Sequence, residues 1–568
     1  MPRSTPIASA LTAESASIVF IGFMGAGKSS AARAAAGVLG AEYVDTDHLV
    51  AAEIPGGSIA GFFRERGEDA FRELEERVVL EAIARPGAVV ALGGGAVESE
   101  RVRAALAGHV TAWCRVEEQV AWERCSGSDR PLARDRDGFQ RRYRARLPLY
   151  EECARVVLPD GGERTGAAAA PWLDLLRGAP GVRMYWSRSR SGERPALVGP
   201  GATKLLDEAP AALRPGTRLF GLADRDALAA VGELIPAVEG EGSIEVAGGE
   251  QSKSLAAADS LLRELARTGV RRDDALCAFG GGVAGDLVGF CAAVYQRGIP
   301  VVQVPTTLVA QVDSAYGGKT GVDLPEGKNY VGAFHQPAAV LTDPAALATL
   351  PDAELAAGFA EVVKTALIAG GPLWDRVRAL DPIDAATVAP LVFDCARTKL
   401  DVVAADEHDA GLRAVLNLGH TVGHGIEAAS GYGRYRHGEA IAIGLVAALR
   451  LSGAGELETE VAALLERAGL PIVMDPGIEP DAVLDAIGRD KKQTAEGIGF
   501  VTVTEPGSVR FGQRIEADSL RRVVLEHAPG DDDAHDLIGA FKDLVDAGIP
   551  DVPLQRVVVK IAVPAMQL

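Results

Sequence analysis

The residues richest in possible chemistry lie at positions 417–439, NLGHTVGHGIEAASGYGRYRHGE. Three of the nine histidines fall here: His420, His424 and His437. The first two stand four apart, which places them on one face of a helix. The third follows a glycine-rich break, Gly431-Tyr432-Gly433. Neutral imidazoles from one helical face, joined by a third from a nearby turn, are a common way to hold a divalent metal. The pattern lacks the glutamate of a metalloprotease HExxH. It also suits a core helix with two satisfied histidines, and on these residues alone both readings stand.

A second constellation opens the chain. Residues 17–21 (SIVFI) read as a buried strand and run into Gly22-Phe23-Met24-Gly25-Ala26-Gly27-Lys28-Ser29, a full GxxxxGK[ST], with a helix of small residues behind it. The glycines let backbone N–H groups and the helix N-terminus face nucleotide phosphates, Lys28 reaches the outer ones, and the Ser29 hydroxyl can bind Mg²⁺. The expected nucleotide contacts are Gly25, Ala26, Gly27, Lys28, Ser29 and Ser30. Residues 43–47 (YVDTD) read as a second strand, whose alternation sets Asp45 and Asp47 on one side. One can serve the metal, the other a hydroxyl. Gly67 begins a helix that carries Arg72, and residues 88–92 form a third strand ending in Gly93-Gly94-Gly95. Eight arginines crowd residues 124–146, among them Arg130 and Arg146. Planar guanidinium groups suit an anionic acceptor.

Farther on, a strand at 274–279 meets Gly280-Gly281-Gly282. A glycine run between strand and helix suits a dinucleotide pyrophosphate, although this is no GxGxxG on a first strand. Residues 219–222, 243–246 and 299–305 also read as strands, the last ending in Thr306-Thr307. Residues 313–329 read as a glycine-rich loop region bearing Lys319, Lys328 and Asn329. From about residue 352 the pattern is helical.

These motifs need several bodies to position them, and 568 residues allow about three to four domain equivalents. The 48% hydrophobic content and mean hydropathy of +0.11 describe a soluble globular chain. Net charge is −20; residues 1–180 hold 22 Lys+Arg against 25 Asp+Glu, so −3, leaving −17 for the rest. That balance argues against nucleic acid as a general partner. Six cysteines without a CxxC fit a reducing cytosol. The first fifteen residues lack the apolar core of a secretory signal, and no run approaches the roughly 18 apolar residues of a spanning helix. A Gly/Ala/Pro mix at 161–182, followed by the polar run 187–194, marks a joint with its boundary near 175–185. Residues 195–199 start the next body, and residues 529–535 (PGDDDAH) open an unassigned tail, 529–568.

Six motifs stand in order between Gly22 and Glu152: GFMGAGKS, DTD, GEDAFRELE, GGG, DRPLA and RLPLYEE. Together they resemble shikimate kinase. The resemblance implies an α/β nucleoside-monophosphate-kinase-like P-loop domain over 1–178. It implies ATP-dependent phosphorylation of the shikimate 3-hydroxyl, with Mg²⁺ near Ser29 and Asp45. Shikimate would be held by Asp47, Arg72, Gly94, Gly95 and Arg146, and Arg130 would sit on a lid over ATP. Asp47 beside the reacting hydroxyl can accept its proton, while Lys28, Mg²⁺ and the lid arginine neutralise charge.

The longer remainder, 183–528, resembles 3-dehydroquinate synthase. It carries GGEQSKS, FGGGVAGDLVGF, YQRGIP, VPTTL, AQVDSAYGGKTGVD, GKNYVGAFHQP, GFAEVVKTALI, LRAVLNLGHTVGHGIEA, RHGEAIAIG and DKKQ. The implied fold is an α/β NAD-binding part followed by an all-helical metal-binding part. The implied ligands of Zn²⁺ or Co²⁺ are Glu361, His420 and His437, which splits the histidine pair and leaves His424 to move protons. NAD would contact Glu250, Lys253, Gly281, Gly282, Val283, Asp286, Thr306, Thr307 and Asp313. The substrate, 3-deoxy-D-arabino-heptulosonate 7-phosphate, would meet Lys319, Lys328, Asn329, Lys364, Lys399, Arg413, Asn417 and one of Lys491 or Lys492. Lys319, Asp409, Arg413, Asn417 and His424 form the implied catalytic set. Asp409 stands where the family usually has a glutamate, so its reach is one methylene shorter. An arginine matching Arg297 enters the partner's site in the family, which implies a homodimer.

Two other readings remain. The second body could serve another sugar-phosphate cyclase, but Lys399 and Arg413 supply cations for a carboxylate that such substrates lack. One body could be a non-catalytic scaffold; intact Lys28, Ser29, Asp47, Glu361, His420, His424 and His437 count against that.

Overall fold

The computed structural model describes residues 15–126, 135–232, 244–491 and 499–528. Arg130, Lys492, the side chain of Lys491 and the tail 529–568 lie outside the described residues. The chain forms two compact units, residues 1–349 and 350–568.

The first unit is built on one twelve-stranded sheet. Its strands are β1 (Ile18–Ile21), β2 (Tyr43–Asp45), β3 (Val89–Ala91), β4 (Val110–Cys114), β5 (Val156–Leu158), β6 (Arg183–Ser189), β7 (Gly192–Val198), β8 (Leu219–Asp224), β9 (Ile244–Val246), β10 (Ala275–Gly280), β11 (Val301–Pro305) and β14 (Ala339–Thr342). The order across the sheet is β2-β3-β1-β4-β5-β6-β7-β14-β11-β10-β8-β9. Every neighbouring pair is parallel except the β6–β7 hairpin. Helices cover both faces of such a sheet, so its strands read as unbroken apolar runs; all four residues of β1 and all five of β4 are buried. A single core joins Ile18 and Phe20 of β1 to Trp186 of β6, Leu197 of β7 and Phe279 of β10.

The polar run 187–194 is therefore no connecting segment. It folds as the far end of the β6–β7 hairpin, registered from Arg183↔Val198 to Ser189↔Gly192. Trp186 and Leu197 anchor the strands in the core, and the charges beyond them are paired: Arg188 donates to Glu193, and Arg194 donates to the Ser189 and Ser191 hydroxyls. The glycine-rich stretch 313–329 likewise contains a hairpin, β12 (Lys319–Leu324) with β13 (Gly327–Phe334), where a loop was expected. Small residues allow the close crossing, since a Cβ on Gly332 would sit 2.4 Å from the Thr320 carbonyl oxygen.

Two local expectations near the first nucleotide loop also change. Asp45 and Asp47 do not share a strand face. The strand ends at Asp45, which caps the helix Thr46–Glu53 by accepting the Asp47 backbone N–H at 3.1 Å. Asp-x-Asp is a capping signal as well as a strand ending, and here capping wins. The helix of Arg72 does not begin at Gly67. It runs as Ile59–Ile83 with a break at Gly67, whose φ of 83° is open to glycine.

In the second unit, helices Asp352–Ala369, Val392–Ala405, His420–Ala429 and His437–Leu451 pack on one another, with a small hairpin of β15 (Gly499–Val503) and β16 (Val509–Arg514). Glycines set the closeness of that packing. A Cβ on Gly438 would stand 1.8 Å from the Ala357 carbonyl oxygen, and one on Gly444 would stand 2.1 Å from that of Gly419. Among the described residues no helix is long and apolar enough to cross a membrane.

Candidate functional sites

The phosphate loop spans the end of β1 and the start of the helix Lys28–Leu39. Gly25 and Gly27 take φ of 79° and 83°, which lets the loop curl so that backbone N–H groups face inward. Gly27 caps the helix without a side-chain bond, and its first turn carries no acid. The N-terminal N–H groups and the positive end of the dipole thus remain for an anion. Lys28 Nζ donates to the Phe23 carbonyl at 3.1 Å, and Arg124 holds the Gly25 carbonyl at 2.9 Å.

Beside this loop stands a pocket of paired charges. Arg72 Nη1 donates to Glu75 Oε2 at 2.5 Å and lies 3.4 Å, through Nη2, from Glu98 Oε2. Arg146, only 2% exposed, donates from Nε to Glu98 Oε1 at 2.9 Å. Gly93, Gly94 and Gly95 are the floor: a Cβ on Gly93 would lie 2.8 Å from Asp47 Oδ1, and one on Gly95 would lie 2.1 Å from Arg72 Nη1. Tyr150 fixes this turn by donating to the Gly94 carbonyl at 2.6 Å. Burial pushes the Glu75 carboxyl above its ordinary pKa despite Arg72. The structure so gathers Asp47, Arg72, Gly94, Gly95 and Arg146, while Asp45 is occupied as a helix cap and by the Tyr43 hydroxyl at 3.0 Å.

In the same unit β10 ends at a glycine turn before the helix Gly282–Val294. The turn opens on a cleft lined by Gly281, Gly282, Asp286, Ser314, Lys319 and Thr320. A Cβ on Gly281 would meet Thr307 at 3.0 Å, and the Thr306 N–H donates to the Gly280 carbonyl at 3.0 Å. Lys253, buried, pairs with Asp286 at 2.5 Å. Burial works against its charge, but Asp286 raises its pKa overall. Glu250 pairs with Lys328 at 3.4 Å. Val283 and Asp313 do not line the cleft themselves; they adjoin the lining residues Gly282 and Ser314 in the chain. Asn329 takes φ of 59°, held by its N–H bond to Asp323 at 2.7 Å. Arg297 is exposed at a turn with φ of 70°.

The second unit contains the histidine cluster. Glu361, 1% exposed, presents Oε1 to His437 Nε2 at 3.3 Å and to His420 Nε2 at 3.6 Å. The His420 Nδ1 lies 3.1 Å from the Leu418 carbonyl, so that nitrogen carries the proton and Nε2 offers its lone pair toward Glu361. Both Glu361 oxygens are buried without a hydrogen bond of good geometry, although Lys364 Nζ approaches Oε2 at 2.5 Å. A lone pair facing a buried carboxylate is repulsive unless a cation stands between them. The donor set, one carboxylate and two imidazoles with the ligand atoms within 4.8 Å of one another, suits a divalent metal. The electrostatics agree. Burial disfavours the His437 cation, yet Glu361 and Glu427 raise its pKa to about 10, which marks a place that wants positive charge. Burial and Lys364 drive His420 down to about 3 and keep it neutral.

His424 is not in that set, but its ring centroid lies 5.2 Å from that of His420 and it forms a second possible donor set with Glu427 and His437. Its side chain is 49% exposed and its Nε2 lies 4.0 Å from Glu427 Oε2. Lys364, Lys399 and Arg413 are each buried, on elements that pack together. Arg413 donates to the Glu407 carbonyl at 2.8 Å. Asn417 is exposed at the end of the turn before His420, and Asp409 takes φ of 58° in the loop ahead of it.

Glu75, Glu98 and Glu427 were not singled out from sequence. The signal for Glu75 and Glu427 was available: each lies three residues after a chosen Arg72 or His424 on one helix, hence on one face. Glu98 had none, since it reaches Arg146 across 48 positions.

These assemblies define a two-part α/β enzyme: a P-loop kinase, then a body with a glycine-turn cleft and a helical carboxylate–histidine centre. Residues 24–176 match the shikimate kinase family model; residues 243–357 and 358–493 match the N-terminal and C-terminal models of 3-dehydroquinate synthase. The 3-dehydroquinate synthase of Symbiobacterium thermophilum is 46% identical over 316 residues, 53% of this chain and 86% of that protein. The one from Nostoc punctiforme is 43% identical over 293 residues, 49% and 79% respectively. The chain belongs to the 3-dehydroquinate synthase family and carries a shikimate-kinase-family part fused ahead of it. In fold it is like a 2-epi-5-epi-valiolone synthase from Streptomyces hygroscopicus solved with NAD⁺ and Zn²⁺ (24% identity, TM-score 0.54, 59% of this chain and 96% of that one). It is also like a 2-deoxy-scyllo-inosose synthase solved with carbaglucose-6-phosphate, NAD⁺ and Co²⁺ (23%, 0.53, 61% and 100%).

Proposed function

We propose that the chain catalyses two reactions of one biosynthetic route. One is phosphorylation of the shikimate 3-hydroxyl by ATP with Mg²⁺. The other is conversion of 3-deoxy-D-arabino-heptulosonate 7-phosphate to 3-dehydroquinate and phosphate. The observation that carries the reading is that Arg72 and Arg146 converge on a single carboxylate, that of Glu98, beside Asp47 and the phosphate loop. A site that already grips one carboxylate between two guanidinium groups suits a carboxylate-bearing acceptor. Asp47 then accepts the hydroxyl proton as the phosphoryl group moves, and Lys28 with the loop N–H groups offsets charge on the phosphates.

For the synthase half, Glu361, His420 and His437 would hold the divalent metal, and Gly281, Gly282, Thr306 and Thr307 would line the NAD site. The metal supplies Lewis acidity toward substrate oxygens and NAD supplies reversible hydride acceptance. The chain's own side chains do the rest. Lys364, Lys399 and Arg413 bind the substrate anions in surroundings that strengthen each contact. Nε2 of His424 takes and returns a proton, with Glu427 behind it to steady the cation. A cyclase for carboxylate-free sugar phosphates would have no use for Lys399 and Arg413 together. We also propose a homodimer with Arg297 near the partner's site, and a reducing cytosolic setting in which all six cysteines stay free, as they are here.

The test feeds the full-length protein each substrate separately. Phosphate release from the heptulosonate phosphate, abolished by a chelator, is expected, as is ADP formation that requires shikimate. Absence of both would leave a scaffold.

A further inference from the structure

The β6–β7 hairpin falls outside both family matches, since the kinase match ends at residue 176 and the synthase match starts at 243. It is nonetheless built firmly. Tyr185 and Trp186 are buried, and β6 extends the kinase sheet in parallel register, Val156↔Met184 and Val157↔Tyr185. Its far end carries Arg188. Nε of Arg188 donates to Glu193 Oε1 on β7 at 2.9 Å, and Nη2 donates to the buried Thr165 hydroxyl. Nη1 reaches Asp160 Oδ2 at 2.9 Å. Glu193 is fixed in turn by the Trp186 indole at 2.8 Å. A single guanidinium so ties the hairpin to residues 160–162 and to the helix Glu163–Leu175 that follows them.

That loop lies on the phosphate loop. The Gly161 N–H donates to the Ala26 carbonyl at 2.8 Å, and a Cβ on Gly27 would sit 1.7 Å from the Gly161 carbonyl oxygen. Asp160 is followed by two glycines, so this segment has much backbone freedom to lose. An anchor that removes the freedom before the nucleotide arrives leaves less ordering to be done on binding.

We propose that the hairpin is a working part of the kinase nucleotide site: Arg188 is a positioning residue that holds residues 160–162 against Ala26 and Gly27, so ATP affinity depends on a segment beyond the kinase match. This rests on the reading of residues 22–29 as the ATP site. The experiment uses the full-length chain as wild type, Arg188→Ala, Arg188→Lys, Asp160→Asn and Lys28→Ala. It measures direct binding of a fluorescent ATP analogue, KM for ATP and for shikimate, synthase turnover and melting temperature. For partly exposed charge pairs, Arg188→Ala and Asp160→Asn should raise Kd and KM for ATP about two- to fivefold. KM for shikimate and synthase turnover should stay as in wild type, with Arg188→Lys intermediate. If wild type shows no Lys28-dependent nucleotide binding, the ATP-site reading fails and the proposal falls with it. If wild type binds and both variants bind as tightly, only the proposal is overturned. Equal weakening toward ATP and shikimate with a lowered melting temperature would make the hairpin merely structural, which also overturns it.

Discussion

Glu98 Oε1 stands 2.9 Å from Nε of Arg146, and its other oxygen lies 3.4 Å from Arg72. One side-chain carboxylate thus occupies both guanidinium groups assigned to the acceptor. On the proposed reading, an acceptor carboxylate displaces it. Because Glu98 is 41% exposed, the competition is screened and is worth about 0.5–1 kcal/mol. Glu98→Gln should therefore lower KM for shikimate about two- to fivefold with kcat little changed, read by steady-state kinetics. A raised KM would mean that Glu98 orients the arginines instead of competing for them.

The proposed split between metal holding and proton transfer predicts different losses for Glu361 and His420 than for His424. His420→Ala and Glu361→Gln should purify with little metal, measured by elemental analysis. His424→Ala should keep its metal and lose about 10²–10⁴-fold in synthase turnover, the range of general acid–base contributions. Equal metal loss in His424→Ala would make it a ligand.

Independence of the two sites is tested at the phosphate loop. Lys28→Ala should abolish shikimate-dependent ADP formation while phosphate release from the heptulosonate phosphate continues at the wild-type rate. Loss of both activities would show coupling that separate sites do not explain.

A buried histidine gives the first unit an acid limit. His109, 5% exposed, accepts the Ser17 N–H on Nδ1 at 3.0 Å at the start of β1. Burial holds its pKa below the ordinary imidazole value. The unfolded chain therefore binds the proton more readily than the folded one. The stability that neutral His109 contributes is fully present above about pH 6.5 and is lost as pH falls below it. Thermal melts between about pH 8 and 5.5 should show a fall in melting temperature that is smaller in His109→Gln, which keeps an acceptor but does not titrate. An equal fall in both would place the acid sensitivity elsewhere.

Much of the site was legible because its chemistry is carried by short-range patterns. Gly25, Gly27, Lys28 and Ser29 lie in one run, and strand, loop and helix follow in the order a phosphate requires. His420 and His424 share a helical face by spacing alone. The motif resemblance then named Glu361 and His437 as partners, and the structure places both against His420. Buried parallel strands were equally visible, since two covered faces demand continuous apolar residues. The short polar patterns misled where two rules compete. Asp45-Thr46-Asp47 satisfies both strand alternation and helix capping. Residues 187–194 look like a linker because their charges read as solvated until the fold pairs Arg188 with Glu193 and Asp160.

By itself the sequence determined which groups are present and the local elements that carry them: the phosphate loop, the glycine turn after β10, the histidine helix and the family to which each half belongs. Only the tertiary structure decided what those groups face. Glu98 meets Arg146 across 48 positions, Arg188 meets Asp160 from a strand the motifs do not cover, and Glu427 turns toward both His424 and His437. Such pairings depend on how closely backbones approach, as at Gly438 against Ala357, and on which charges burial forces together. Neither is a property of neighbours in sequence; both arise when the sheet and the helices pack.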